Sequence, residues 1–273
     1  MTRDGGGGRW PWRTVAITGA SSGLGAAFAT ALAGPGRRLR LAGRDAVRLG
    51  VVAATCRAAG AWVEESAFDV RDAAACAAWV AGDAAEPLDL LVANAGVSAG
   101  TGGATEPLEQ VARIFAVNVT GALNTALPAL ARMRGQPPGA DGVRGRVAAV
   151  ASVAAFVAVP GAPAYCASKA ALQRWAEATD ATARREGLRV HAVCPGYVRT
   201  PMTATNDFPM PLLMEADDAA RRALRGVAAG RARVAYPWPL YALARLAGAV
   251  PPRWLNALPS KRAGADRGAA AAS

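Results

Sequence analysis

Short apolar runs alternate with helical stretches along most of this chain, and that alternation constrains its fold more than any other feature. Thr14–Thr18, Leu39–Ala42, Ala61–Phe68, Leu88–Ala93, Arg146–Ser152 and Leu188–Cys194 read as six strands. Ser22–Ala33, Asp45–Ala59 and Asp72–Ala81 read as helices between the first four. Strands joined through helices pair in parallel, because each crossover returns the chain to the same end of the sheet. With right-handed crossovers, the expected architecture is α/β, a doubly wound parallel sheet flanked by helices in one domain. The 273 residues suffice for one sizeable core.

The turn leaving the first strand is Thr18-Gly19-Ala20-Ser21-Ser22-Gly23-Leu24-Gly25. A helix N-terminus carries unpaired N–H groups and about half a positive charge, so a phosphate there gains hydrogen bonds and dipole energy together. The glycines let the backbone turn tightly and approach such a phosphate. Their Gly-x-x-x-Gly-x-Gly spacing differs from the general Gly-x-Gly-x-x-Gly dinucleotide fingerprint. A glycine-rich turn without a ligand is the plain alternative. Further along, Tyr165-Cys166-Ala167-Ser168-Lys169 sets a phenol and an ammonium four residues apart, stacked one turn apart on a helix.

These two motifs, in this order, resemble the short-chain dehydrogenase/reductase family, the compact one-domain branch that uses a nicotinamide cofactor. The resemblance runs from about Val15 to Pro201. It implies a Rossmann-fold oxidoreductase interconverting an alcohol and a ketone or aldehyde. Four positions match the family's catalytic residues: Asn118, Ser152, Tyr165 and Lys169. Tyr165 would be the general acid/base, and Lys169 would favour its phenolate and hold the nicotinamide ribose. Ser152 would hydrogen-bond the substrate oxygen. Asn118, within Val117-Asn118-Val119-Thr120-Gly121, would hold a water relaying protons past the lysine.

The family pattern also assigns the cofactor site. Thr18, Gly19, Ser21, Ser22, Gly23, Leu24 and Gly25 fall on the phosphate turn. Asp69, with Val70 beside it, falls where relatives meet the adenine. Asn94-Ala95-Gly96 closes the fourth strand and supports the sheet against the cofactor, although Ala93 stands where relatives often have a second Asn. Pro195, Gly196 and Thr200 fall beside the nicotinamide amide. At the end of the second strand an acid binds a ribose 2′-hydroxyl, whereas arginine accommodates a 2′-phosphate. Here Gly43 is followed by Arg44, so NADP is expected over NAD. Ser22 lacks the second basic residue of some NADP-preferring relatives, and a merely solvated arginine is the alternative. An NADP-sensing binding protein on the same fold competes with the enzyme, but retention of all four catalytic residues favours turnover. Sugar epimerases and dehydratases share the tyrosine and lysine but usually carry a longer C-terminal substrate domain.

The net charge is +11, yet Lys169 and Lys261 are the only lysines, and the arginines form no stripe interleaved with aromatics. No nucleic-acid partner is therefore expected. No uncharged apolar run reaches membrane-spanning length, and the start lacks a signal-peptide stretch, so a cytoplasmic protein is expected. Cys56, Cys76, Cys166 and Cys194 lie far apart, without pairing or metal spacing, and read as buried small side chains. His191, inside the sixth strand, reads as a buried structural residue.

The expected organisation is a loose leader over 1–13, the domain over 14–260, a substrate lid over about 197–235 and a low-complexity tail over 261–273. Met133–Arg146 reads as an exposed loop. Within the lid, Met202, Phe208 and Met210 stand among prolines and suit a lipophilic carbonyl or alcohol, the alternative being that they only pack against the core or a second subunit. In Tyr236–Pro259, Trp238, Tyr241, Leu243, Leu246, Val250, Trp254 and Leu255 are interrupted by Arg245 and Arg253. That pattern leaves two readings open, an oligomer contact and peripheral membrane contact. The resemblance implies a homodimer or homotetramer formed through the helices carrying Asn118 and Tyr165.

Overall fold

The computed structural model describes residues 10–83, 85–101 and 104–251. Its strands are β1 Thr14–Thr18, β2 Arg38–Gly43, β3 Trp62–Ala67, β4 Leu90–Ala93, β5 Gly145–Val150, β6 Leu188–Pro195 and β7 Arg233–Tyr236. They hydrogen-bond in the order β3-β2-β1-β4-β5-β6-β7, every pair parallel. The helices are α1 Gly23–Leu32, α2 Ala46–Ala58, α3 Ala73–Ala81, α4 Leu108–Phe115, α5 Ala122–Arg134, α6 Pro163–Ala183, α7 Ala216–Ala228 and α8 Trp238–Ala249. This is the doubly wound sheet expected from the alternation. The order reverses between β1 and β4, where crossovers leave for opposite faces and open a crevice at the strands' carboxyl ends.

The strand sequences account for their place. TVAIT, LLVA and GRVAAV are buried along their whole length, as strands covered by helices on both faces must be. One core layer gathers Ile17, Phe28, Leu32, Leu39, Leu41 and Leu224; the other gathers Leu91, Leu130, Met133, Val147, Leu172 and Val190. Burying one side chain of the size of Phe28 contributes about 2–3 kcal/mol. Short polar ties fix the strand starts. Asp89 accepts from the N–H groups of Arg13 (2.6 Å) and Thr14 (2.8 Å). Buried Gln136 bonds the N–H and C=O of Leu88, which anchors the otherwise exposed loop after α5.

Four features differ from the sequence reading or add to it. Trp10 and Trp12 are buried and their rings stack 6.1 Å apart, with Arg37 donating to both carbonyls, so the last part of the 1–13 leader belongs to the core. The seventh strand, RVAY, escaped notice because it is four residues long, contains arginine, and lies half-buried at the sheet edge. The segment 197–235 is not a lid throughout: α7 buries Ala220, Ala223, Leu224 and Val227, and β7 completes the sheet. Only the stretch before α7 remains irregular. Finally, α8 seats Ala244 and Tyr241 against Phe156 but leaves Trp238 and Leu246 about 70% exposed. Trp254, Leu255, Arg253 and the tail 261–273 lie outside the described residues.

One helical run, Leu108–Arg134, is long and apolar enough to cross a membrane by length and composition, with a mean hydropathy of 1.4. Half of that window is buried against the domain, as in a core helix. All four cysteines are free and buried, and among the described residues no cluster of potential metal ligands occurs. His191 is fully buried, with Nδ1 2.6 Å from the carbonyl of Arg231, and burial pushes its pKa down to about 4.

Candidate active site

The chain leaves β1 through Gly19 at φ +64° and Gly23 at φ +54°, conformations open to glycine and strained for other residues. Gly25 is required for a different reason. A Cβ there would lie 2.0 Å from the carbonyl oxygen of Gly19. The turn thus folds onto the first turn of α1, whose N-cap Ser22 makes no side-chain cap and whose first turn holds no acid. The orphan N–H groups of α1 face a cleft of about 640 Å³ at the strand-order reversal. That volume is in the range of small-molecule sites.

Most of the residues picked from the sequence line this cleft. Gly19, Ser21, Ser22, Gly23 and Leu24 form one wall, and Arg44, Asp69 and Val70 form the end beyond β2 and β3. Asn94, Ala95 and Gly96 form the floor, with Ser152, Tyr165, Lys169, Pro195, Gly196 and Thr200 at the other end. Thr18, Gly25 and Asn118 are not among the lining residues; they act behind it. The Thr18 hydroxyl accepts from the N–H groups of Asn94 (3.0 Å) and Ala95 (3.1 Å). The Asn94 amide donates back to the carbonyls of Thr18 (3.1 Å) and Gly19 (3.3 Å). Those bonds lock the ends of β1 and β4 together under the glycine turn.

Beyond β2 the cleft is arginine-rich. Arg44 is exposed, its Nη1 3.9 Å from Asp69 Oδ2. Arg48, which the sequence reading missed, lines the same end and bonds Asp45 at 2.6 Å. Its signal was the Arg-Asp-x-x-Arg spacing, which sets Arg44 just before the N-cap Asp45 and Arg48 in the first turn of α2. Asp69 accepts from the backbone N–H (2.9 Å) and Nη2 (2.8 Å) of Arg71, which hold its carboxyl below the usual range. Phe68 and Val97 are further lining residues without a sequence motif to mark them, and Met202 and Thr203 line it from the segment read as a lid.

At the other end, Ser152 follows β5 and caps the short 3₁₀ turn Val153–Phe156, accepting from Ala154 N–H at 3.1 Å. Tyr165 and Lys169 lie one turn apart on α6. Lys169 is buried and donates to the Val150 carbonyl at 2.8 Å; its Nζ lies 5.8 Å from the Tyr165 ring centroid. Burial pushes the Lys169 pKa down to about 8. Burial also raises the Tyr165 pKa, opposed by a hydrogen bond with Ser152. Burial is the largest of these influences, so the phenol form is favoured at Tyr165.

Asn118 sits fully buried in a π-helical turn, Ala116–Gly121, between α4 and α5. Its Oδ1 accepts from Val97 N–H (2.8 Å), and its Nδ2 donates to the Val97 carbonyl (2.9 Å) and Ser168 Oγ (3.1 Å). The side chain so joins the β4 loop to the helix carrying Tyr165. A Cβ at Gly96 would come within 3.2 Å of Asn118 Oδ1 and 3.4 Å of Lys169 Nζ, so glycine keeps the space in front of the lysine clear.

A parallel doubly wound sheet, an open helix N-terminus over its crevice, and a serine, tyrosine and lysine at the far end define a dinucleotide-dependent oxidoreductase. The chain belongs to the short-chain dehydrogenase family, whose model matches residues 13–208. An uncharacterized oxidoreductase of Myxococcus xanthus (strain DK1622) is 40% identical over 242 residues, which cover 88% of this chain and 93% of the relative. The short-chain dehydrogenase from Sphingobium yanoikuyae, solved in complex with NADPH, superposes with a TM-score of 0.74 at 27% identity, over 93% of this chain and 99% of that one. A short-chain dehydrogenase/reductase from Burkholderia phymatum, solved with NAD, gives a TM-score of 0.74 at 25% identity, over 87% and 93%. The protein is an NAD(P)-dependent oxidoreductase acting on CH–OH or carbonyl groups.

Proposed function

We propose that the protein is an NADP-dependent reductase of a lipophilic ketone or aldehyde, with Tyr165 as the proton donor. The observation that carries this reading is one continuous cleft with two arginines at one end and Ser152, Tyr165 and the buried Lys169 together at the other. Arg44 and Arg48 suit a 2′-phosphate, since a guanidinium binds phosphate through two nitrogens. The open N-terminus of α1 suits the pyrophosphate. The nicotinamide cofactor supplies the hydride when bound.

The chain's own groups then manage the proton and the substrate oxygen. Ser152 Oγ donates to that oxygen and stabilises the negative charge developing there. Tyr165 delivers its phenolic proton to the same oxygen. A phenol with a raised pKa is fully protonated at neutral pH, which suits reduction better than oxidation. Lys169 stabilises the phenolate left behind and would hold the nicotinamide ribose hydroxyls. Asn118 holds the Val97 loop against α6, and a water held beside it would relay protons past Lys169. Met202 on the cleft wall, with Phe208 packed edge-on against Tyr197 beyond it, supports an apolar substrate.

Leu108 on α4 and Leu127 on α5 are exposed, which supports a homodimer or homotetramer formed over those helices. Free, buried cysteines suit a reducing cytoplasm. The outer apolar face of α8 we assign to a subunit contact ahead of a lipid surface. Light scattering after gel filtration gives the assembly size, and co-flotation with liposomes would move α8 to the membrane.

The decisive experiment follows NADPH oxidation at 340 nm with aldehydes and ketones of increasing chain length, for wild type and Tyr165→Phe. Turnover rising with chain length and falling at least a thousandfold in the variant, with NADPH affinity retained, is expected. NADPH binding without turnover on any carbonyl would favour an NADP sensor instead.

A further inference from the structure

We propose that Glu106 is a positioning residue that fixes the first turn of the Tyr165 helix; this rests on the role of Tyr165 given above. The start of α6 is poorly capped by its own sequence. Its N-cap is Ala162, which has no side-chain acceptor, and Pro163 follows at the first helical position. The N–H of Ala164, next to Tyr165, is one of the orphan donors of that end. It donates to Glu106 Oε2 at 2.7 Å, a length typical of a charged acceptor. Glu106 comes from the loop between β4 and α4, 58 residues away in sequence.

The carboxylate is itself held. Its other oxygen accepts from Gln110 Nε2 at 3.0 Å, one turn along α4. A second tie joins the same two segments, from Thr101 N–H to the Gly161 carbonyl at 3.0 Å. The β4–α4 loop, which also carries Val97 on the cleft wall, is therefore pinned to the segment that presents Tyr165. A borrowed carboxylate at a helix N-terminus supplies the missing acceptor and meets the positive end of the helix dipole. Its use here is geometric. Proton transfer needs the phenol within hydrogen-bond reach of both Ser152 and the substrate oxygen, and a displacement of about 1 Å can cost about a hundredfold in rate.

The test compares Glu106→Ala with Glu106→Gln, whose amide oxygen can still accept from Ala164. Glu106→Ala should lower kcat at least tenfold with the NADPH dissociation constant within twofold of wild type. Glu106→Gln should stay within threefold in kcat. Hydrogen exchange on the NADPH-bound protein needs no substrate, so it tests the anchor even if no carbonyl is reduced. Amides in 161–168 should exchange at least tenfold faster in Glu106→Ala and near the wild-type rate in Glu106→Gln, with β1–β4 unchanged. Unchanged exchange over 161–168 would overturn the proposal. So would a kcat within twofold of wild type in Glu106→Ala, or loss of NADPH binding there, which would mark a role in folding. Equal impairment of both variants would also overturn it, since charge and not the hydrogen bond would then be what matters.

Discussion

The two walls of the cleft are built differently. The wall we assign to the cofactor, from β1 through α1 to the ends of β2 and β4, is backbone. Its shape comes from glycines at positive φ, an open helix end, and the Thr18–Asn94 lock beneath. The wall we assign to the substrate, between β6 and α7, is side chain: Met202 lines the cleft with Phe208 and Leu212 beyond it, each about half exposed, on a segment outside the helices and strands of the sheet. A pyrophosphate is the same in every substrate pair, so rigid backbone serves it. A substrate pocket tuned by loop side chains can change without disturbing the sheet.

That contrast breaks most sharply at Gly25. A methyl group there meets the Gly19 carbonyl, which cannot move without opening the turn. Gly25→Ala should weaken NADPH binding at least a hundredfold by fluorescence titration, whereas no single alanine in the segment 202–214 should approach that loss. The next effect concerns stability on the substrate side. His191 on β6 bonds the Arg231 carbonyl leading into β7, and its folded pKa lies near 4, below the ordinary 6.5. The unfolded chain binds the extra proton between those values, so stability present above pH 6.5 is lost as pH falls towards 4, by up to about 3 kcal/mol. His191→Gln should flatten that part of a urea-midpoint profile; an unchanged slope would assign acid sensitivity elsewhere.

Specificity sharpens the comparison within the cofactor wall itself. Arg44→Ala combined with Arg48→Ala should raise KM for NADPH about tenfold or more while leaving NADH within twofold, because a 2′-phosphate alone would lose its partners. An equal loss for both cofactors would mean that the arginines only shape the turn. The smallest effect is expected on the substrate wall. Phe208→Ala, which removes the edge-on contact with Tyr197, should raise KM about threefold for long-chain carbonyls and leave short ones unchanged. No chain-length dependence would move Phe208 out of the substrate path.

The legibility of the sequence follows the same division. Gly19, Gly23 and Gly25 announced the cofactor wall because their constraint is local: a turn, a close approach and a helix start within eight residues. Tyr165 and Lys169 were visible for a similar reason, since four residues on a helix fix a shared face. Arg48 was missed because no family motif marks it, and only the fold shows that the first turn of α2 lines the end of the cleft. Glu106 left no trace, because its acceptor role depends on a loop and a helix 58 residues apart.

By itself, the chain determined the parallel sheet, through its alternation of apolar strands and helices, and the phosphate turn, through glycine spacing. Both are short-range patterns that backbone geometry reads directly. Tertiary structure alone decided three other matters. It drew Trp10 and Trp12 into the core and added β7 at the sheet edge. It set the burial that raises the pKa of Tyr165. The reason is physical: desolvation and hydrogen-bond partners depend on what else has been packed nearby, and no local spacing encodes that.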